Sequence, residues 1–167
     1  MIYYWTELST AKGTVYIIAS NEAIVWVGTP GSSLEKGTEY IHNKFFVEEF
    51  INTDNTILNI AKKELGKYFK GKKVQFSGPF EFKGTEFQKK VWLEMSNIPF
   101  GTTVTYSDLA HSIESPKAVR AVGMTCGLNP IAIMIPCHRV VGKGGKLTGY
   151  AGGLEIKKWL LELESNK

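Results

Sequence analysis

Cys137 is followed at once by His138 and Arg139 and preceded by the apolar run Ile131-Ala-Ile-Met-Ile-Pro136. Sulfur attacks as the thiolate, and cationic or imidazole neighbours are what lower a thiol pKa. Cys137 with His138 and Arg139 therefore reads as an activated nucleophile on the floor of a cleft, reached by an apolar run that Pro136 stops. The plain alternative is a small buried cysteine, because most buried thiols are inert. Nothing else in the chain competes as a reactive centre. Cys126 and Cys137 are too few for a disulfide framework and lack metal-ligand spacing, and His42, His111 and His138 are scattered. Neither a metal nor a cofactor is expected. Arginine is the second signal. Eighteen of the 20 basic residues are Lys, so Arg120 and Arg139 are candidates for work that needs a planar fork, able to stack or to bind bidentately.

The chain that must position these groups has 167 residues, enough for one ordinary domain or two small ones. At 43% hydrophobic it can bury a core, which excludes a disordered tail. No apolar run approaches a membrane span, and Met1-Ile-Tyr-Tyr-Trp-Thr-Glu7 lacks the basic flank of a signal peptide. A reducing, cytoplasmic setting with no membrane partner is expected. The net charge of +4 permits an acidic partner without requiring one.

Residues 2–8, 13–20 and 23–29 have the composition of an antiparallel meander, with Trp5, Tyr16, Val25 and Val27 available to one face. Residues 31–38 read as a loop after Pro30, and Phe45, Phe46 and Phe50 as a further strand or short helix. A helix is predicted over 54–70, capped by Asp54 and ended by Gly71, with the stripe Ile57, Ile60, Ala61, Leu65, Tyr68 and Phe69. The lysines around it, from Lys62 to Lys73, read as a solvated face. Ser77-Gly-Pro79 is the best linker signal, so the chain divides into a structural domain over 1–78 and a second over 79–167. The second opens on the capping box Thr85-Glu-Phe-Gln88. Two short helices follow, one capped by Ser107. The other has Ser115 as its cap and Pro116 in its first turn, carries Arg120 and ends near Gly127. Such a pair is compatible with a helix-turn-helix, whose second helix reads nucleic acid. A last helix runs from about Leu154 to Leu163, with Ile156, Trp159, Leu160 and Leu163 inward, and Glu164 ends it. The fold class is α+β, with an N-terminal antiparallel sheet and helix and a mainly helical C-terminal part.

Pro136-Cys-His-Arg-Val140 resembles the active-site motif of the O6-alkylguanine-DNA alkyltransferases, the methylated-DNA–protein-cysteine methyltransferases. The resemblance extends through Tyr106, Pro116-Lys-Ala-Val-Arg120-Ala-Val-Gly123, Asn129-Pro130, Tyr150-Ala-Gly-Gly153-Leu, Lys157, Trp159-Leu-Leu161 and Glu164, in the family's order over residues 80–167. It implies direct-reversal DNA repair. Cys137 would take the alkyl group of O6-alkylguanine, or O4-alkylthymine, once and irreversibly. His138 would be its base through a water, Glu164 would orient the imidazole, and Asn129 would hold the turn. Double-stranded DNA would be bound through the minor groove without regard to sequence, with the damaged nucleotide extruded. Arg120 would fill the vacated stack and Tyr106 would turn the nucleotide, its hydroxyl meeting ring N3. Lys117, Ala118, Ala121 and Gly123 would lie toward the DNA. The carbonyls of Cys137 and Val140, the Ala151 amide and the Tyr150 ring would form the base pocket. Arg139 would be structural and Cys126 packing, with a monomer expected. Beside this stand a damage sensor, in whose relatives the cysteine is replaced, a cysteine hydrolase using Cys137, His138 and Glu164, and a regulator in which Cys137 is merely buried.

Overall fold

The computed structural model describes residues 1–165, which form two compact units: 1–83 with 130–132, and 84–129 with 133–165. The first unit is built on β1 (Ile2–Thr10), β2 (Gly13–Ala19), β3 (Ile24–Val27) and β4 (Glu49–Ile51), in the sheet order β3-β2-β1-β4. The first three strands form the expected antiparallel meander, with Trp5 opposite Ile18 and Thr6 opposite Ile17. At the edge β4 runs parallel to β1, pairing Tyr3 with Phe50, so the sheet is mixed rather than purely antiparallel. The chain returns at 130–132 to add a parallel bridge between Val27 and Ile131.

Two helices, rather than one, serve this sheet. Residues 31–38, expected as a loop, contain the start of α1 (Leu34–Lys44), whose N-cap is Ser33 accepting from the Lys36 N–H. Pro30-Gly-Ser-Ser33 breaks the strand, but its last serine is also a helix cap. Helix α1 lies so close to the sheet that a Cβ on Gly37 would meet the Trp26 ring at 2.5 Å. Helix α2 (Thr56–Phe69) is capped by Asn55, not Asp54, through Asn55 Oδ1 at 2.8 Å from the Leu58 N–H. It buries Leu58, Ala61, Leu65 and Tyr68, whereas Ile60 of the expected stripe is exposed. Helix α1 packs on β2 and β3 and α2 on β1 and β2. Val15, Ile17, Ile18 and Ala19 are therefore all buried, and β2 shows little of the two-residue alternation of a one-sided strand.

The second unit begins with α3 (Glu86–Met95), whose capping box joins Thr85 and Gln88 reciprocally. A two-residue strand, β5 (Val104–Thr105), leads into α4 (Tyr106–Ser112). Thr105, not Ser107, caps α4, in a second capping box with Asp108. Helix α5 (Val119–Gly127) starts later than expected: Ser115 hydrogen-bonds the Ile113 carbonyl instead of capping, and Ala118 occupies the cap position without a side-chain bond. Lys117 and Ala118 thus lie in the turn before the helix. Helix α4 packs on α5, and α3 supports α5 from behind through Trp92 Nε1 donating to the Thr125 carbonyl at 3.0 Å. After a tight turn over Cys137–Arg139 comes β6 (Val140–Val141), parallel to β5, and then α6 (Leu154–Ser165). Glu164 lies inside α6 rather than ending it.

Candidate active site

The turn carrying Cys137 is held by its own backbone and by side chains of the second unit. The Cys137 N–H donates to the Ile135 carbonyl at 2.9 Å and the Arg139 N–H to the Pro136 carbonyl at 3.0 Å. Asn129 Nδ2 donates to the Ile135 carbonyl at 2.7 Å, which ties the end of α5 to the approach to the cysteine. Asn129 also hydrogen-bonds the thiol itself.

Behind the thiol is a fully buried polar cluster. His138 Nε2 lies 2.5 Å from Glu164 Oε2, and Arg139 binds both oxygens of the same carboxylate, Nε to Oε1 at 2.9 Å and a terminal nitrogen to Oε2 at 3.2 Å. Arg139 also donates to the Ile98 carbonyl at 2.7 Å, and Glu164 Oε1 accepts from the Gly101 N–H at 3.0 Å. Arg139 supplies the charge that balances Glu164, so His138 has no need to be protonated. Burial depresses the His138 pKa against the opposing pull of Glu164, with Arg139 and Lys157 adding to the depression. Because Nε2 faces a carboxylate, the proton of the neutral ring belongs on Nε2, and Nδ1 is the nitrogen able to accept one.

Cys137 itself departs from the sequence expectation in sign. Burial pushes the thiol above its ordinary range, and the opposing influences are the Asn129 hydrogen bond, the Lys157 charge and backbone N–H groups. Arg139 does not act as an activating cation, since its charge is spent on Glu164. The resting pair is therefore a protonated thiol and a neutral imidazole. A proton acceptor must come into play at the moment of attack.

The thiol faces a cavity of about 190 Å³ lined by Tyr106, Gly123, Cys126, Cys137, Tyr150 and Ala151, with Gly127 and Gly149. Of the pocket residues suggested by the sequence, Tyr106, Tyr150 and Ala151 are thus brought together. Val140, named for its carbonyl, is not among the residues that line the cavity; its side chain is fully buried and its backbone pairs with Val104. Gly123, expected on a DNA-facing surface, is half-buried and lines the cavity, where an added Cβ would lie 3.8 Å from the Tyr106 ring. The Cys137 carbonyl already accepts from the Val140 N–H, leaving one lone pair for a ligand. The Tyr150 hydroxyl is buried without a hydrogen-bond partner among the described residues, and burial with the nearby Cys137 and Glu164 holds its pKa well above the usual phenol range.

Two features went unread. Lys157 is completely buried on α6, its Nζ donating to the Gly149 carbonyl at 2.9 Å and lying 5.8 Å from the Tyr106 ring centre. It pins the loop before Tyr150, and its charge favours the Cys137 thiolate. Of the expected inward set on α6, Leu160 is buried and Ile156, Trp159 and Leu163 are half-buried, while the other buried positions of the helix are Lys157 and Glu164. The other feature is the outer face of α5. Beside Arg120 and Ala121 it exposes Met124 at 72%, followed at the helix C-cap by Leu128 at 58%, large apolar groups where the sequence suggested small ones.

Residues 86–166 match the family described as 6-O-methylguanine DNA methyltransferase, DNA binding domain. The chain is 41% identical over 161 residues to the inducible methylated-DNA–protein-cysteine methyltransferase of Bacillus subtilis (strain 168), covering 96% of this chain and 89% of that protein. It is 38% identical over 165 residues to the enzyme of that name from Methanosarcina acetivorans, with 98% and 99% covered. A crystal structure of Mycobacterium tuberculosis OGT in complex with DNA superposes with TM-score 0.81 at 33% identity, covering 99% of this chain and 93% of that one. The Methanococcus jannaschii O6-methylguanine DNA methyltransferase gives 0.64 at 30%, with 97% and 94% covered. These relatives span both units, and the matched segment holds the cavity and the Cys137, His138 and Glu164 cluster, so this chain belongs to the methylated-DNA–protein-cysteine methyltransferase family.

Proposed function

We propose that the chain repairs DNA by moving the alkyl group of O6-alkylguanine onto Cys137, once per molecule. The observation that carries this is the pairing of a cavity-facing thiol with a neutral, carboxylate-anchored imidazole in the next residue. In the transfer, His138 Nδ1 takes the thiol proton through a water. Sulfur attacks the alkyl carbon in line, the carbon–oxygen bond breaks, and its electron pair stays on O6. The proton returns to the purine, so thiol plus O6-alkylguanine becomes thioether plus guanine. Tyr106 at ring N3 and the Ala151 amide at O6 stabilise the charge that develops on the leaving base. No step regenerates the thiol. Intact mass after incubation with O6-methylguanine duplex should show one added methyl on Cys137 and no turnover. Repeated hydrolysis of an ester, or tight binding with no adduct, would sink this reading.

Extrusion of the base falls to α5. Arg120 is exposed on its outer face and, in this reading, occupies the place that the nucleotide leaves. Arg120→Ala should slow single-turnover repair of duplex DNA at least tenfold and leave reaction with free O6-benzylguanine within twofold, because only the duplex pays an unstacking cost of a few kcal/mol. Equal losses on both substrates would remove Arg120 from this role.

The protonation states set a pH profile. With thiol and imidazole starting neutral, proton transfer within the pair leaves the rate flat from about pH 6.5 to 9, the ordinary values that bracket them. The acid limb falls below pH 6.5, where His138 begins to be protonated. Stability follows the same sign. Below pH 6.5 the unfolded imidazole binds a proton that the buried one resists, so stability is lost as pH falls. A transfer rate that climbs through pH 8–9 would show attack by a pre-formed thiolate instead.

A further inference from the structure

The net positive charge does not lie where the helical pair would bind DNA. Residues 106–128 carry two bases, Lys117 and Arg120, and two acids, Asp108 and Glu114. Residues 62–73, in contrast, hold six Lys and one Glu for a net +5, while the other 155 residues carry 14 bases and 15 acids for a net −1. The whole excess charge of the chain is therefore concentrated at the C-terminal half of α2 and the turn after it.

Side-chain placement sharpens this. Lys62 is drawn to the sheet, its Nζ 3.3 Å from Thr6 Oγ1, and Glu64 is occupied by the Ser77 N–H and hydroxyl. Lys63, Lys67, Lys70, Lys72 and Lys73 are exposed, and none is in an ion pair among the described residues. Lys63 and Lys67 are four apart and Lys67 and Lys70 three apart, so like charges face each other along one side of the helix. Lysines in a last turn are favoured by the helix dipole, but Lys63 lies two turns from the end, beyond its reach. On the same side is Gly66, where a Cβ would meet nothing within 4 Å. No packing demands a glycine there, and it weakens the helix relative to alanine. What it provides is a bare stretch of backbone between lysines, against which an extended polyanion can lie.

We propose that Lys63, Lys67, Lys70, Lys72 and Lys73 form a second DNA contact that binds backbone phosphates without reading sequence, apart from the helical pair. The partner follows from the DNA-repair reading above and from the near neutrality of residues 106–128, which leaves counterion release to be supplied elsewhere.

The test uses the full chain, with K63Q/K67Q/K70Q compared against K12Q/K36Q/K44Q, exposed lysines of the same unit whose loss changes net charge equally. Affinity for an undamaged duplex is measured across salt concentrations. The helix variant should lower the magnitude of the log–log salt slope by about 2 to 3, at about 0.9 per phosphate lost, and weaken binding at least tenfold at low salt. The control should stay within twofold. Transfer from free O6-benzylguanine should be unchanged in both, which separates this contact from the alkyl-transfer site. If the wild type takes no alkyl group from either substrate while the slope still drops, the repair reading fails and the contact stands. Equal slopes and affinities in the two variants would overturn the contact. So would loss of binding to phosphatidylglycerol vesicles in the helix variant with the DNA slope intact.

Discussion

Cys137→Ala should abolish alkyl transfer from duplex DNA while duplex affinity stays within tenfold of the wild type. The cysteine lines a recessed cavity, 8% exposed, whereas Arg120, Ala121 and Met124, with Leu128 at the C-cap, present a separate outer face of α5. Removing one sulfur leaves that face intact. The sharper part of the expectation concerns the second thiol on the same wall. Cys126 does not substitute, because burial pushes its pKa up to about 12 and no imidazole follows it in the chain. Sharing a cavity with the substrate is insufficient when the proton has nowhere to go. Intact mass and peptide mapping after incubation with O6-methylguanine duplex are the check. A methyl on Cys126 in Cys137→Ala would mean that position alone selects the acceptor, and that His138 is not needed.

The contrast between the two thiols also explains why a buried, raised-pKa cysteine suits this chemistry. A permanently ionised thiolate would meet soluble electrophiles and oxidants. A thiol that burial keeps protonated, with Asn129, Lys157 and His138 to assist its ionisation, would in the proposed reaction lose its proton only as the sulfur attacks. This arrangement fits an acceptor that can be used only once.

How much of this was legible in the chain depended on whether residue type and position agreed. The meander and the Thr85–Gln88 capping box were readable because their signals are local: strand composition, turn residues, a cap three residues from its partner. Helix α1 was not, because Ser33 serves both as part of a strand-breaking Pro-Gly-Ser-Ser sequence and as an N-cap. The start of α5 was misplaced since Ser115-Pro116 has the look of a cap and first turn, while tertiary packing delays the helix to Val119. The hardest case was α6. Apolar periodicity selects Ile156, Trp159, Leu160 and Leu163; Leu160 is buried and the other three half-buried, yet the fully buried stripe flanks Leu160 with Lys157 and Glu164. Buried charges are rare enough that a pattern search assigns them to the surface. Glu164 entered the site only through resemblance, and Lys157 was matched without a role. Their partners, Gly149, Arg139 and His138, come from other segments of the chain, and no spacing rule connects them.

Glu164→Gln should lower stability by about 3–5 kcal/mol, the usual cost of removing one member of a buried ion pair. The side chain keeps its volume, so the loss comes from charge and not from a cavity. Without the carboxylate, Arg139 remains buried, and among the described residues the Ile98 carbonyl and the Phe100 ring, 5.7 Å from its guanidinium carbon, are left to offset its charge. The amide must also choose between presenting oxygen to Arg139 and to the Gly101 N–H and presenting it to His138. If an NH2 group faces Nε2, the ring must place its proton on Nδ1, the nitrogen needed to accept the proton of Cys137. Transfer should therefore slow by about 10²-fold or more, the lower range for general-base contributions. The two effects separate in Arg139→Met/Glu164→Gln. Removing the stranded guanidinium should recover much of the stability, whereas the tautomer fault, and with it the slow transfer, should persist. Chemical denaturation and single-turnover transfer of free O6-benzylguanine measure the two independently. A double variant as unstable as Glu164→Gln would show that the penalty is not the uncompensated charge, and normal transfer in either variant would remove Glu164 from control of the imidazole.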